Sequence, residues 1–335
     1  MSPKVSICCA TYGHEPYIRK ALDSVLMQKV DFEYEVLIGE DSSPDNSRSI
    51  LKEYEDKFPE IIKVIYRDEN VGATANVREL YSMARGEYIC TLELDDFWIS
   101  EIKLQTQADF LDTQPEAIAV SMRCIMVDHE GKILKIEYPQ CKDYKYTFEH
   151  FKREILPSQT AGIMYRNIYD GRLKIKMLRS RTRGPGDRRK IFSLLSNGEI
   201  YCMTQIGSAY RYVTSFGNSY SAQHSDIDWA DYYKELIDYA RKVVKRKDAV
   251  SAAEGLYIKY LMGYMLKKSH GVTYKKFIKE LSGIQNRWKS IWYAINFFLN
   301  ISVRKKLGGS YSCYKEIEDN AYKNLVEKYE KLTSD

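Results

Sequence analysis

The chain has 335 residues and 44% hydrophobic content, enough to bury the core of one large domain and a smaller one, and too apolar for a disordered chain. Its net charge of +5 decides little about partners, and its seven scattered cysteines, two of them adjacent at Cys8 and Cys9, suit neither a metal-ligand spacing nor a disulfide framework and fit a reduced cytoplasmic compartment. With no run of about 18 apolar residues, no transmembrane helix is expected, and the opening Met1-Ser-Pro-Lys-Val leads straight into a strand-like segment, not a signal peptide.

Residues 5–10 are an apolar run ending in Thr11-Tyr12-Gly13, which reads as a strand and a loop. Behind Pro16, residues Ile18, Ala21, Leu22, Val25 and Leu26 recur at helical spacing. Residues 34–38 predict a second buried strand, ending in the turn formers of 39–46. Ile50, Tyr54 and Phe58 mark a helix, and residues 62–66 a third strand. Val77, Leu80, Tyr81 and Ala84 mark another helix, with Gly86 as its expected C-cap. Residues 88–92 form a fourth strand that runs into Glu93-Leu94-Asp95-Asp96. Such alternation predicts an α/β fold, a mostly parallel central sheet with helices on both faces. Ligands of these sheets bind beyond the carboxyl ends of the strands, so Thr11-Tyr12, Glu40-Asp41 and Glu93 to Asp96 are expected to converge. After about residue 118 the pattern changes. Residues 119–127 and 132–136 read as a hairpin, 139–186 as irregular, 188–213 as a helix and a strand, and the chain from about Asp226 onward as helical.

Three carboxylates within four residues of a strand end repel one another unless a cation shares them. Glu93 and Asp95 project to the same side of an extended chain, where they could address one divalent metal and one ribose. Hard oxygen ligands suit Mg2+ or Mn2+, which also bridge phosphate oxygens. The other reading is an acidic turn with Asp96 as the N-cap of the next helix. Asp41 could accept from a base N–H or from ribose hydroxyls, or could form an Asx-turn.

The order of Thr-Tyr-Gly-His-Glu-Pro-Tyr-Ile at 11–18, Glu-Asp-Ser-Ser-Pro-Asp at 40–45, Asn-Val-Gly at 70–72, Gly-Glu-Tyr-Ile at 86–89 and Leu-Asp-Asp-Phe-Trp at 94–98 resembles the family 2 glycosyltransferases. The resemblance spans roughly residues 3–220. It implies the GT-A fold and an inverting transfer from a nucleotide sugar, usually a UDP-sugar. It implies a domain over 1–220, with a nucleotide-binding half at 1–98 and an acceptor-binding half at 99–220. A helical C-terminal region would fill 221–335. On this resemblance the metal ligand is Asp95, in a Glu93-Leu94-Asp95 version of the family's Asp-x-Asp motif, and the cofactor is Mn2+ or Mg2+. Donor contacts fall to Thr11, Tyr12, Glu40, Asp41, Asn76, Arg78, Glu93, Asp96 and Arg211. Gly186-Asp187-Arg-Arg-Lys-Ile-Phe resembles the segment of the catalytic base, so Asp187 is expected to take the acceptor's proton, to cap its helix, or both. Ala209-Tyr-Arg-Tyr-Val213 resembles a Tyr-Arg-x-His segment; Val213 stands where relatives often carry His, so that residue's role does not carry over.

Nine basic residues and one acid lie between Arg172 and Lys190. This run reads as a solvated loop, or as a segment closing over a diphosphate or meeting an anionic lipid-linked acceptor. Nucleic acid is the poorer reading, since no binding motif accompanies the charge. Residues 288–306 are too short to span a bilayer. They suit an amphipathic core helix or a peripheral membrane contact. The remaining candidates are a nucleotidyltransferase, which would need a glycine-rich phosphate loop with a lysine after the first strand, and a non-catalytic binding module, which would tolerate neutral residues at 95 and 187. The implied partners are thus a nucleotide-sugar donor and a glycan or lipid-linked acceptor, met on the cytoplasmic face of the membrane.

Overall fold

Alternation along Val5–Thr11 makes it a strand buried on both sides: Ile7 and Cys9 enter one apolar layer, Cys8 the other. The computed structural model describes residues 2–173, 178, 182, 184–212, 227–306, 315–316, 322–324 and 326–327. Strand β1 (Val5–Thr11) lies between β2 (Tyr34–Glu40) and β4 (Tyr88–Thr91), parallel to both, and β3 (Ile62–Tyr66) runs parallel on the far side of β2. Beyond β4 come β9 (Ile163–Arg166), antiparallel, then β6 (Ala117–Val127), β10 (Glu199–Arg211) and the short β5 (Phe97–Trp98). Strands β6 and β10 are parallel, β8 (Lys145–Tyr146) adds an antiparallel pair to β10, and the short β7 (Ile136–Glu137) pairs outside this sheet with a strand at Lys315–Glu316, within the region expected to be helical.

One face of the sheet packs Leu22 and Val25 of α1 (Ile18–Leu26), Leu51 of α2 (Ser47–Lys57), and Leu104 and Leu111 of α4 (Lys103–Thr113). The other packs Leu80 of α3 (Ala73–Met83), Phe192 of α6 (Gly186–Asn197), and the helices α7 (Trp229–Tyr239) and α8 (Lys247–Leu266). The helical C-terminal region therefore completes the second apolar layer. A later segment reaches back as well: Tyr322 is buried, and its hydroxyl donates to the Cys124 carbonyl of β6 at 2.5 Å.

Three local expectations change. Gly86 does not cap α3, whose C-cap is Ala84. A Cβ at Gly86 would lie 2.5 Å from the Ser6 nitrogen, so glycine is required for close passage beside β1. The chain after β6 does turn back at Asp128, with a bridge between Val127 and Ile133. The main partners of β6, however, are β9 and β10, because the long buried strand belongs to the central sheet. Within 139–186 lie β8, a short helix α5 (Phe148–Lys152) and β9. The 220/221 boundary, Val213, and Lys174, Lys176, Arg179, Arg181 and Arg183 of the basic run lie outside the described residues.

Candidate active site

The register of β2, β1 and β4 sets the site. Thr11 pairs with Glu40, and Cys8 with Thr91, so the loops leaving these strands emerge side by side at one sheet edge. At strand spacings near 4.8 Å, the tips of β2 and β4 stand about 10 Å apart. Direct contacts tie the loops together. The Asp41 N–H donates to the Thr11 carbonyl at 3.1 Å, and the Gly13 N–H to Ser43 Oγ at 3.0 Å. His14, on the same loop, brings Nε2 to 4.0 Å from Asp95 Oδ2. Two buried atoms of this loop, Thr11 Oγ1 and His14 Nδ1, have no hydrogen-bond partner among the described residues. Buried polar atoms of this kind ordinarily have one. Tyr12 is exposed beside them.

Asp41 is buried and held by backbone. Val71 N–H and Gly72 N–H donate to its Oδ1 and Oδ2, each at 2.9 Å, and Arg67 Nε lies 3.7 Å away. Each carboxylate oxygen keeps a lone pair. Arg67 and Val71 also line an open cleft with Ile65, Tyr66, Asp68 and Glu69.

The acidic cluster divides into two tasks. Asp96 is buried; its Oδ1 accepts the Arg211 N–H at 2.7 Å and its Oδ2 accepts Gln159 Nε2 at 2.8 Å. Burial, with Asp95 and Glu93 adding their charge, pushes the Asp96 carboxyl well above the usual range. Glu93 is pushed up to about 7, by burial first and then by Asp95. Asp95 is the open member, with a side chain 37% exposed.

Across from this cluster, α6 carries Asp187 in its first turn. Asp187 Oδ1 accepts the N–H of Arg188 at 2.7 Å, and its charge is among those felt by Glu93. One turn on, Lys190 donates to Tyr81 Oη at 3.2 Å and Thr91 Oγ1 at 3.4 Å. Burial pulls its pKa down, but Tyr81 and the charges of Glu93 and Asp187 outweigh that and leave it raised. The same helix thus brings an acid and a half-buried cation to the end of β4.

Several sequence candidates are occupied by the protein itself. Glu40 accepts the Ser43 N–H at 2.6 Å and Arg48 Nε at 2.9 Å, so it organises its own loop. Asn76 gives Nδ2 to the Gly39 carbonyl at 2.8 Å and takes Arg67 Nη2 on Oδ1 at 3.1 Å, which leaves a donor little to bind. Arg211 is buried and largely committed to backbone carbonyls. Its Nε donates to the Asp95 carbonyl at 2.8 Å, and its Nη1 to the Asp128 and His129 carbonyls at 2.8 and 2.9 Å. It thereby fixes the backbone of the open acid. Asp96 does not cap α4, because its oxygens are spent on Arg211 and Gln159. Arg78 is exposed on α3. His14, Arg67, Gln159 and Lys190 were not among the candidates. Arg67 follows a strand end as Asp41 does, and His14 sits inside the first motif, so both carried a signal. Gln159 had none, being delivered from 63 residues beyond Asp96.

Among the described residues, no three His, Cys, Asp or Glu side chains converge into a metal cage. That is compatible with Mg2+ or Mn2+, which are bound through one or two carboxylates and substrate phosphates. An open Asp95 beside a Glu93 strained by surplus negative charge fits such an ion.

Strand-end acids on a parallel sheet, with a helix-borne acid opposite, form one polar site at the edge of an α/β sheet. The Glycosyl transferase family 2 model matches residues 6–172, and the chain belongs to that family. The uncharacterized protein Rv1520 of Mycobacterium tuberculosis (strain ATCC 25618 / H37Rv) is 37% identical over 135 residues, 40% of this chain and 39% of that protein. The chain thus matches about two fifths of the length of that relative. TuaG of Bacillus subtilis (strain 168), whose name proposes a teichuronic acid biosynthesis glycosyltransferase, is 27% identical over 73% of this chain and 98% of its own length. The crystal structure of S. aureus TarS 1-349 with UDP-GlcNAc shares the GT-A fold at a TM-score of 0.59 and 16% identity, covering 92% of this chain and 93% of that one.

Proposed function

We propose that the chain moves a sugar from a nucleotide-sugar donor, a UDP-sugar, to a hydroxyl of a glycan or lipid-linked acceptor, in one inverting displacement. The observation that carries this reading is the loop after β1, which touches Asp41 through the Thr11 carbonyl and reaches Asp95 through His14. A nucleoside diphosphate laid along that loop would span from Asp41, with the base in the cleft beside Tyr66 and Arg67, to Asp95. The fold neighbour TarS is solved with UDP-GlcNAc, a donor of this class.

The acceptor oxygen attacks the anomeric carbon, and the bond from that carbon to the diphosphate oxygen breaks with its electron pair on the leaving nucleoside diphosphate. The acceptor's proton passes to the free carboxylate oxygen of Asp187, which the start of α6 holds in direction. Asp95, with Glu93, would hold a divalent cation, whose chemistry is to stabilise negative charge on the leaving diphosphate. Arg211 keeps the Asp95 backbone in place. The described cysteines Cys8, Cys9, Cys90, Cys124, Cys141 and Cys202 are all buried and unpaired, which fits work in a reducing, cytoplasmic compartment. A role in polysaccharide or glycolipid assembly there is consistent with the name of TuaG.

The test is a hydrolysis and transfer screen of nucleotide sugars with and without Mn2+, repeated with Asp95→Ala and Asp187→Asn. Cation-dependent turnover of a UDP-sugar that both substitutions abolish is expected. Turnover indifferent to the cation and to both carboxylates would sink the reading.

A further inference from the structure

Helix α10 (Arg287–Lys306) follows a short helix α9 (Tyr274–Ser282) and packs along α8. Its inner flank is committed. Ala294 and Ser290 are buried, the Phe298 ring lies against Gly263 of α8, the Lys259 ammonium sits 4.1 Å from the Phe297 ring centroid, and the Tyr293 hydroxyl donates to the Lys152 carbonyl. An amphipathic helix in this position would turn a polar flank to water. This one does not. Trp288, Trp292, Ile295 and Leu299 are 77, 68, 38 and 57% exposed. At 100° per residue these four fall within about 60° of arc, nearly opposite the buried flank. The helix is therefore apolar on two sides, and only one is covered by the described residues.

We infer that this second stripe is a docking surface for an anionic lipid bilayer, on which α10 lies in the plane of the interface. Two features select a membrane over a protein partner. The helix sequence contains no Asp or Glu and five basic residues, Arg287, Lys289, Arg304, Lys305 and Lys306, placed at its two ends. Basic ends around an apolar stripe match a surface with acyl chains beneath anionic headgroups. The stripe is also led by two tryptophans, whose amphipathic rings favour the headgroup boundary. Among the described residues no helix is long and apolar enough to cross a membrane, so the contact is peripheral. Docking in this way would hold the chain on the surface that carries a lipid-linked acceptor, a consequence that rests on the proposed transfer. The docking itself does not.

The experiment is flotation of the full chain with vesicles of phosphatidylcholine alone and with about one third phosphatidylglycerol, read alongside tryptophan emission and its quenching by brominated acyl chains. The chain should float with the anionic vesicles, shift its emission to the blue and be quenched, and high salt should weaken binding. Trp288→Ser with Trp292→Ser should lower partitioning about tenfold, with the far-UV spectrum and thermal midpoint unchanged. Quenching of the unmodified chain gives the answer even if the double variant fails to fold. Absence of anionic-vesicle binding, equal binding by a folded double variant, or a stripe-dependent dimer in sedimentation equilibrium would each overturn the inference. None of these readouts involves turnover, so failure here is distinct from failure of the transferase reading.

Discussion

In the parallel part of the sheet, Asp41 is fixed by the N–H groups of Val71 and Gly72, about thirty residues on but only one strand away. Asp187, across the site, rests on a different kind of support. The neighbouring Arg188 lies 3.5 Å from Glu154, which also accepts from Lys259 and, at 2.6 Å, from the Tyr260 hydroxyl of α8. Glu154 is held in the left-handed backbone region at φ 61, a conformation a non-glycine residue adopts only under outside constraint. One side of the site is thus built by sheet register and backbone. The other is built by a partly buried charge cluster tying the start of α6 and the turn after α5 to the C-terminal helices.

The sharpest way to break the comparison is at the acids themselves. Asp95→Ala should lower kcat for transfer by about a thousandfold or more, and Asp187→Asn by about a hundred- to ten-thousandfold. Both variants should remain folded, since Asp95 is partly exposed and Asp187 lies at a helix start. Steady-state kinetics beside thermal melts check this. A loss of fold in either variant would mean that the acid belongs to the scaffold.

The supports should fail differently. Glu154→Gln leaves Lys259 buried and Arg188 half-buried with their counter-charge removed, so urea unfolding should show a loss of about 3 kcal/mol. If the cluster orients α6, the same variant should also depress kcat while leaving nucleotide affinity unchanged. In the other half, Gly39→Ala places a Cβ 1.9 Å from Asn76 Oδ1, itself hydrogen-bonded to Arg67. The expected loss is about 2 kcal/mol, with weaker nucleotide binding. Gly39→Ala combined with Asn76→Ala should cost less than the sum of the two single changes, because the clash disappears.

The same contrast explains what the sequence made visible. Strand ends such as Thr11, Asp41 and Asp95 are legible because period-2 burial and short connections put them on one edge by geometry alone. The C-terminal helices could be expected as helices, but their packing on the sheet could not. Nothing local in Glu154, Lys259 or Tyr260 shows that residues 105 and 106 positions apart share a charge cluster. Arg211 and Asn76 were legible as site neighbours but not in their roles, since a polar group near a strand end serves a ligand or a backbone carbonyl with the same chemistry. Gln159 was invisible for a simpler reason: it reaches Asp96 from a turn with no motif of its own.

Glu93 gives the smallest effect and the finest test of how the acids share charge. Its carboxyl is raised from 4.5 to about 7, so between those values the folded chain binds a proton that the unfolded chain has released. With more protons on the folded state, stability falls as pH rises through that window. Screening at a partly open site reduces the size of the effect, so about 1 kcal/mol is expected between pH 5 and 8. Glu93→Gln cannot ionise and should reduce this slope, leaving the share of the raised Asp96 carboxyl, while keeping the midpoint measured at pH 5. Mn2+ added at pH 8 should recover the lost stability in the unmodified chain and fail to do so in Asp95→Ala, because the cation and the proton neutralise the same pair of carboxylates. A pH slope undiminished in Glu93→Gln would move the titration to another group. Recovery by Mn2+ in Asp95→Ala would move the cation off Asp95.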